Sequence, residues 1–159
     1  MPTLPQLIEE DIQRLEEVLR ELLKLSEATT ALVIDKGGFL ITQAGEQSSF
    51  DLTTIAALAS GAYLANQTIA NLVQEENFSS VYQQGEINSM LTLNVDENCL
   101  LVIIFPARVG VGAVKYYAAR SLPRIAAHFR AAWQREPDGG VDLSVLNLEH
   151  TDVVFRKKS

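Results

Sequence analysis

The sequence predicts an α+β domain: a five-stranded, mostly antiparallel sheet flanked by helices, in the order α-β-β-α-β-β-β-α. Three observations predict it. Apolar residues recur with a helical period near the start, in the middle and towards the end of the chain. Between those segments lie runs with the period of strands, joined by short turns rich in Gly, Asp and Asn. The 159 residues suffice for one domain, placed at residues 1–136, followed by a tail at 137–159.

The first helix is expected from about Leu4 to Ser26. Ile8, Ile12, Leu15, Leu19 and Leu22 alternate at steps of four and three, and Pro5 suits a first turn. Thr30–Asp35 and Phe39–Thr42 form a hairpin, with Gly37 and Gly38 supplying positive φ in its turn. A polar loop at 45–49 leads to Asp51, an N-cap for the middle helix. Ser79–Ile87 is a weaker strand with a bulge expected at Gly85. Ser89–Val95 alternates, with Leu91, Leu93 and Val95 on one face. Cys99–Phe105 is apolar throughout, as a strand buried on both faces should be. Gly110 and Gly112 bracket a turn before a short strand at Val111–Ala118, and the last helix is expected at Arg120–Arg135 with Pro123 in its first turn. In the tail, Val153–Phe155 is β-prone and the end is basic.

The middle helix is the least ordinary segment. From Leu52 to Gln74 it contains no charged residue, in a chain with 13 Lys+Arg and 20 Asp+Glu. Ile55, Leu58, Ala59, Ala62, Ile69, Leu72 and Val73 are expected to face the sheet. Ala57, Gly61, Leu64, Thr68 and Asn71 then line a second face, small and neutral, which reads as a contact surface for another molecule. The alternative is that a neighbouring helix of the same chain covers it. The segment is long enough to span a bilayer, but Asn66, Gln67 and Asn71 and the lack of flanking Lys/Arg argue against insertion.

Composition excludes much chemistry. Net charge is −7, which disfavours nucleic acid. One cysteine, Cys99, permits no internal disulfide and no paired-Cys zinc motif, and it reads as a core residue. No basic region precedes an apolar run at the N-terminus, so a cytoplasmic setting is expected. His128 reads as structural or solvent-facing, and His150 has no evident partner. Gly110-Val-Gly112-Ala-Val-Lys115 lacks the Gly-Lys-Ser/Thr ending of a phosphate loop. Arg108 sits between elements and reads as a solvated cation rather than an arginine finger. No catalytic group, metal site or cofactor is expected.

Five stretches together resemble the Roadblock/LC7 domain, most closely its bacterial MglB-type branch, over residues 10–136. They are LVIDKGGFLITQAG, DLTTIAALASGAYLANQTIANLV, QQGEINSML, LLVIIF and GVGAVKYYAARSLPRIAAHF. The resemblance implies a profilin-like fold and a non-enzymatic homodimer in which middle helices and sheet edges meet. It implies a Ras-like small GTPase of MglA type as partner, docked on the paired middle helices at positions matching Ala57, Gly61, Leu64 and Thr68, with hydrolysis stimulated by rearranging the GTPase's own residues. A dimeric scaffold without effect on hydrolysis is the alternative, with Val153–Phe155 available to extend a sheet edge. A small-ligand sensor with a cavity under the middle helix ranks third, because no convergent polar cluster is visible.

Overall fold

The computed structural model describes residues 3–46, 50–135 and 141–142. Its elements are β1 (Thr3–Leu4), α1 (Glu9–Ser26), β2 (Thr30–Asp35), β3 (Leu40–Gly45), α2 (Leu52–Leu72), β4 (Ser80–Gln83), β5 (Asn88–Asn94), β6 (Cys99–Pro106), α3 (Val111–Arg135) and β7 (Val141–Asp142). Five strands form one antiparallel sheet in the order β3-β2-β6-β5-β4, and β1 pairs with β7 separately. Setting the β1–β7 pair aside, the expected order of elements and the five-stranded sheet are found.

Alternation divides the strands between two faces. Ala31, Val33, Leu91, Leu93, Leu101, Ile103 and Phe105 point to one side, where they meet Leu15, Leu19 and Leu22 of α1 and Ile125 and Phe129 of α3. Leu32, Ile34, Leu100 and Val102 point to the other, where they meet Ala56, Ala59 and Tyr63 of α2. The central strand β6 is buried from Cys99 to Phe105. Its position between β2 and β5 explains why both of its faces are apolar.

Three elements differ from expectation. First, Val111–Ala118 is not a strand: α3 begins at Val111 and continues unbroken to Arg135. Val114, Ala118, Ser121, Ile125, Ala126, Phe129 and Ala132 are its buried positions, a helical period that the β-branched and aromatic residues around Tyr116 obscure. Pro123 therefore lies mid-helix. It is tolerated because Pro123 and Ala119, whose carbonyl loses its partner, are both exposed, so water can serve that carbonyl. Second, α1 starts at Glu9. Pro5 sits between β1 and the helix, and the Asp11 carboxylate accepts the Ile8 N–H at 2.9 Å to close the first turn. Third, Gly85 belongs to the turn joining β4 to β5, where a Cβ would collide with the Asn88 carbonyl, and not to a bulge.

In the β2–β3 turn only Gly38 has positive φ, at 103°. The boundary after residue 136, His150 and Val153–Phe155 lie outside the described residues, as does part of the loop at 45–49.

A candidate protein-docking surface on the middle helix

Among the described residues the sheet carries α2 alone on its face, since α1 and α3 pack together on the opposite one. Asp51 begins the helix: its carboxylate accepts the Thr54 N–H at 3.1 Å and the Thr54 hydroxyl at 2.6 Å. Those bonds hold the Asp51 carboxyl below its usual pKa. At its middle the helix is fastened to two turns. The Ser60 hydroxyl donates to the Lys36 carbonyl, and the Tyr63 hydroxyl donates to Asn94 Oδ1 at 3.1 Å while accepting from Asn77 Nδ2 at 2.9 Å. Lys36 lies over the Tyr63 ring, 5.4 Å from its centroid, and burial lowers its pKa.

Past Tyr63 and Asn66, the latter still beside Val81 and Thr92, the helix outruns the sheet. Asn94, the last residue of β5, and the β2–β3 turn are already reached at that level. Of the residues from Leu64 to Leu72, only Ala70 is buried. The helix ends with Gln74 at φ 64°, its N–H bonded to the Asn71 carbonyl and the Glu75 N–H bonded to that of Ala70. This is a Schellman arrangement, with glutamine at the left-handed position where glycine costs least.

The expected contact residues Ala57, Gly61, Leu64, Thr68 and Asn71 are all exposed. A Cβ built on Gly61 meets nothing within 4 Å. Ala57 lies close to the β2–β3 turn, where a Cβ on Gly38 would be 3.3 Å from the Ala57 Cα. The residues assigned to the sheet divide differently from expectation. Ala59 is buried and Ile55 half-buried, but Leu58, Ala62, Ile69, Leu72 and Val73 are exposed, with Leu72 79% accessible. Ala56, Ser60 and Tyr63 take the inward positions. A helix without charge on any side gives periodicity little contrast, and the overhang leaves little sheet beneath its last turns. The alternative that another helix of this chain covers the outer face does not hold among the described elements.

An open groove of about 370 Å³ runs between the start of α2 and the β4–β5 hairpin. Phe50, Ile55, Met90 and Ile104 form its apolar floor, and Gln83, Asn88 and Ser89 give it a polar wall. Periodicity did not reveal that wall, because its residues straddle a turn.

Other groups singled out in the sequence sit apart from this surface. Burial pushes the Cys99 thiol far above its usual pKa, which leaves it unreactive. His128 is half-buried on α3, and its pKa is lowered by burial and by Arg14 and Arg124. Contrary to the expected strand, α3 begins between these two glycines: Gly110 precedes it and Gly112 lies in its first turn. Among the described residues no cluster of His, Cys, Asp and Glu is placed to hold a metal ion, and no helix is long and apolar enough to cross a membrane.

The sequence profile of the Roadblock/LC7 domain matches residues 14–105. Solved structures agree. One described as MglB with a tetrameric arrangement is 29% identical, superposes with a TM-score of 0.77, and the match covers 83% of this chain and 98% of that one. The gliding protein MglB of Thermus thermophilus is 29% identical over 82% of this chain and 98% of its own, with a TM-score of 0.75. MglB of Myxococcus xanthus is 27% identical over 74% and 95%, with a TM-score of 0.70. No curated protein sequence matches the chain closely enough to count as a relative. With the profile spanning more than half of the chain and the sheet order and helix placement described above, this protein belongs to the Roadblock/LC7 domain family.

Proposed function

We propose that this chain is a non-enzymatic homodimeric regulator of a Ras-like small GTPase of MglA type, acting in the cytoplasm. The observation that carries this reading is the outer face of α2. It is free of charge from Leu52 to Gln74, exposes Leu58, Leu64, Ile69 and Leu72, and shares its side of the sheet with no other helix among the described elements. A solvated helix of that length normally carries Lys and Glu. The similarity to MglB structures supports the choice of partner.

Dimerisation through α2 is further supported by the neighbouring edge. β3 ends the sheet and packs beside α2, so its outer N–H and C=O groups stand next to the exposed helix face. Two copies meeting there would bury both the helix face and the strand edge. Ala57, Gly61, Leu64, Thr68 and Asn71 are the proposed contact residues. The regulatory mechanism is a population shift, in which the dimer binds one switch conformation of the GTPase better than the other.

A pull-down against an MglA-type GTPase loaded with a GTP analogue or with GDP tests the reading. Binding that depends on the nucleotide is expected; equal capture in both states removes the mechanism. A scaffold role is separated by a hydrolysis assay, where binding without acceleration favours the scaffold. The groove beside Phe50 and Met90 keeps the ligand-sensor reading in play. A metabolite co-purifying with the protein would favour it.

A further inference from the structure

We propose that the last apolar-basic stretch of the chain, Val153-Val154-Phe155-Arg156-Lys157-Lys158, docks on the C-terminal end of α2 of its own subunit. The receiving surface is apolar and then acidic. Leu72 and Val73 are exposed beside Ile69, and Glu75 and Glu76 follow after Gln74. The stretch 153–158 has the matching order, three apolar residues and then three cations.

Two electrostatic facts make the end of α2 an acceptor for cations. Its last turn contains no basic residue, so the negative end of the helix dipole is not offset within the helix. Among the described residues neither Glu75 nor Glu76 has an ion-pair partner. Two carboxylates at a helix C-terminus repel that dipole, and nearby cations relieve both effects.

The chain also leaves the domain at the right end. The short link from α1 to β2 brings the end of α1 to Thr30, so the start of α1 lies at the Asp35 end of the sheet. Arg135 closes α3 there, bonding Asp11 at 2.5 Å and the Gln6 carbonyl at 3.2 Å, and β7 pairs with β1 alongside. α2 overhangs that same end, beyond the Lys36 carbonyl and Asn94. From Asp142 to Val153 the extended chain spans roughly 36 Å, at about 3.3 Å per residue. Crossing from one face of the sheet to the other takes about 20 Å, two layers of about 10 Å each. A tail seated there would compete with any partner for Leu72 and Val73.

The test is paramagnetic relaxation in the full-length chain, with a nitroxide on a cysteine introduced by Ser159→Cys. Native Cys99 is fully buried with a raised thiol pKa, so labelling is selective. The expected result is loss of most amide signal intensity at Ile69 to Glu76, and its recovery in Glu75→Lys/Glu76→Lys or at 1 M salt. Unchanged signals at α2, or loss confined to α1 and α3, would overturn the proposal. Mixing spin-labelled chains with separate isotope-labelled chains decides the source. Equal loss in the mixture would assign the tail to a second copy and overturn docking within one subunit. None of these outcomes depends on the identity of a GTPase.

Discussion

The two faces of the sheet are built from different residues and carry different burdens. On the α1/α3 face, Leu15, Leu19, Leu22, Phe105, Ile125 and Phe129 are fully or almost fully buried and interdigitate across three elements. On the α2 face the helix contributes Ala56, Ala59, Ser60, one aromatic, Tyr63, and the half-buried Leu52 and Ile55, while Leu58, Leu64, Ile69 and Leu72 point outward. Burial of large side chains is what stabilises a domain. Stability therefore resides mainly on one side, and the other is free to expose apolar surface that the described elements do not cover. Lone exposed apolar residues are ordinary; a run of them along one uncharged helix is not.

The sharpest way to break this contrast is to truncate large residues on each side. Phe129→Ala should cost about 3–5 kcal/mol in denaturant unfolding, the range for a buried aromatic. Leu72→Ala should change monomer stability by no more than about 0.5 kcal/mol while weakening association or partner binding. Comparable losses at both positions would refute the division.

A smaller effect is expected where α2 is fastened down. Tyr63→Phe leaves the Asn94 and Asn77 amides without their shared hydroxyl and should cost about 1–2 kcal/mol. Thermal unfolding monitored by circular dichroism would measure it. The helix end offers a gain in place of a loss: Gln74→Gly should stabilise by about 0.5–1 kcal/mol by removing a side chain from the left-handed position.

On the α1/α3 side, acid should act through Asp11. Arg135 hydrogen-bonds its carboxylate and holds its pKa below the usual carboxylate value, against the opposing effect of burial. A depressed folded-state pKa means the stabilising contribution is present above the unfolded-state value and is lost as pH falls through the folded-state value. Asp11→Asn should therefore reduce stability near neutrality and flatten the acid limb of stability against pH. An unaltered limb would show that the pair contributes little.

Much of this architecture was legible in the sequence. The Thr30–Asp35 and Cys99–Phe105 strands announced themselves by continuous apolar runs, and Asp51 by its place before an uncharged helix. What could not be read has physical causes. Pro123 looked like a helix start because sequence rules penalise proline inside helices; only the structure shows that the affected turn faces water. The outward direction of Leu58, Ile69 and Leu72 was hidden because Ala, Leu and Ile occur around the whole circumference of α2. Which Leu faces the sheet is decided there by where the sheet ends, a tertiary fact. Gly61 shows the same limit in reverse: its place on an exposed face was inferred from spacing, but the open space around it is visible only in three dimensions.

The account rests most directly on the outer face of α2 being covered by a second copy, and sedimentation velocity of the wild type and Gly61→Arg measures it. The new side chain has open space in the monomer, so the variant should stay folded, losing in unfolding only the stabilisation that dimerisation adds. Wild type is expected to sediment as a dimer and Gly61→Arg as a folded monomer. A wild type that remains monomeric throughout, or a variant that dimerises as tightly as wild type, would contradict it.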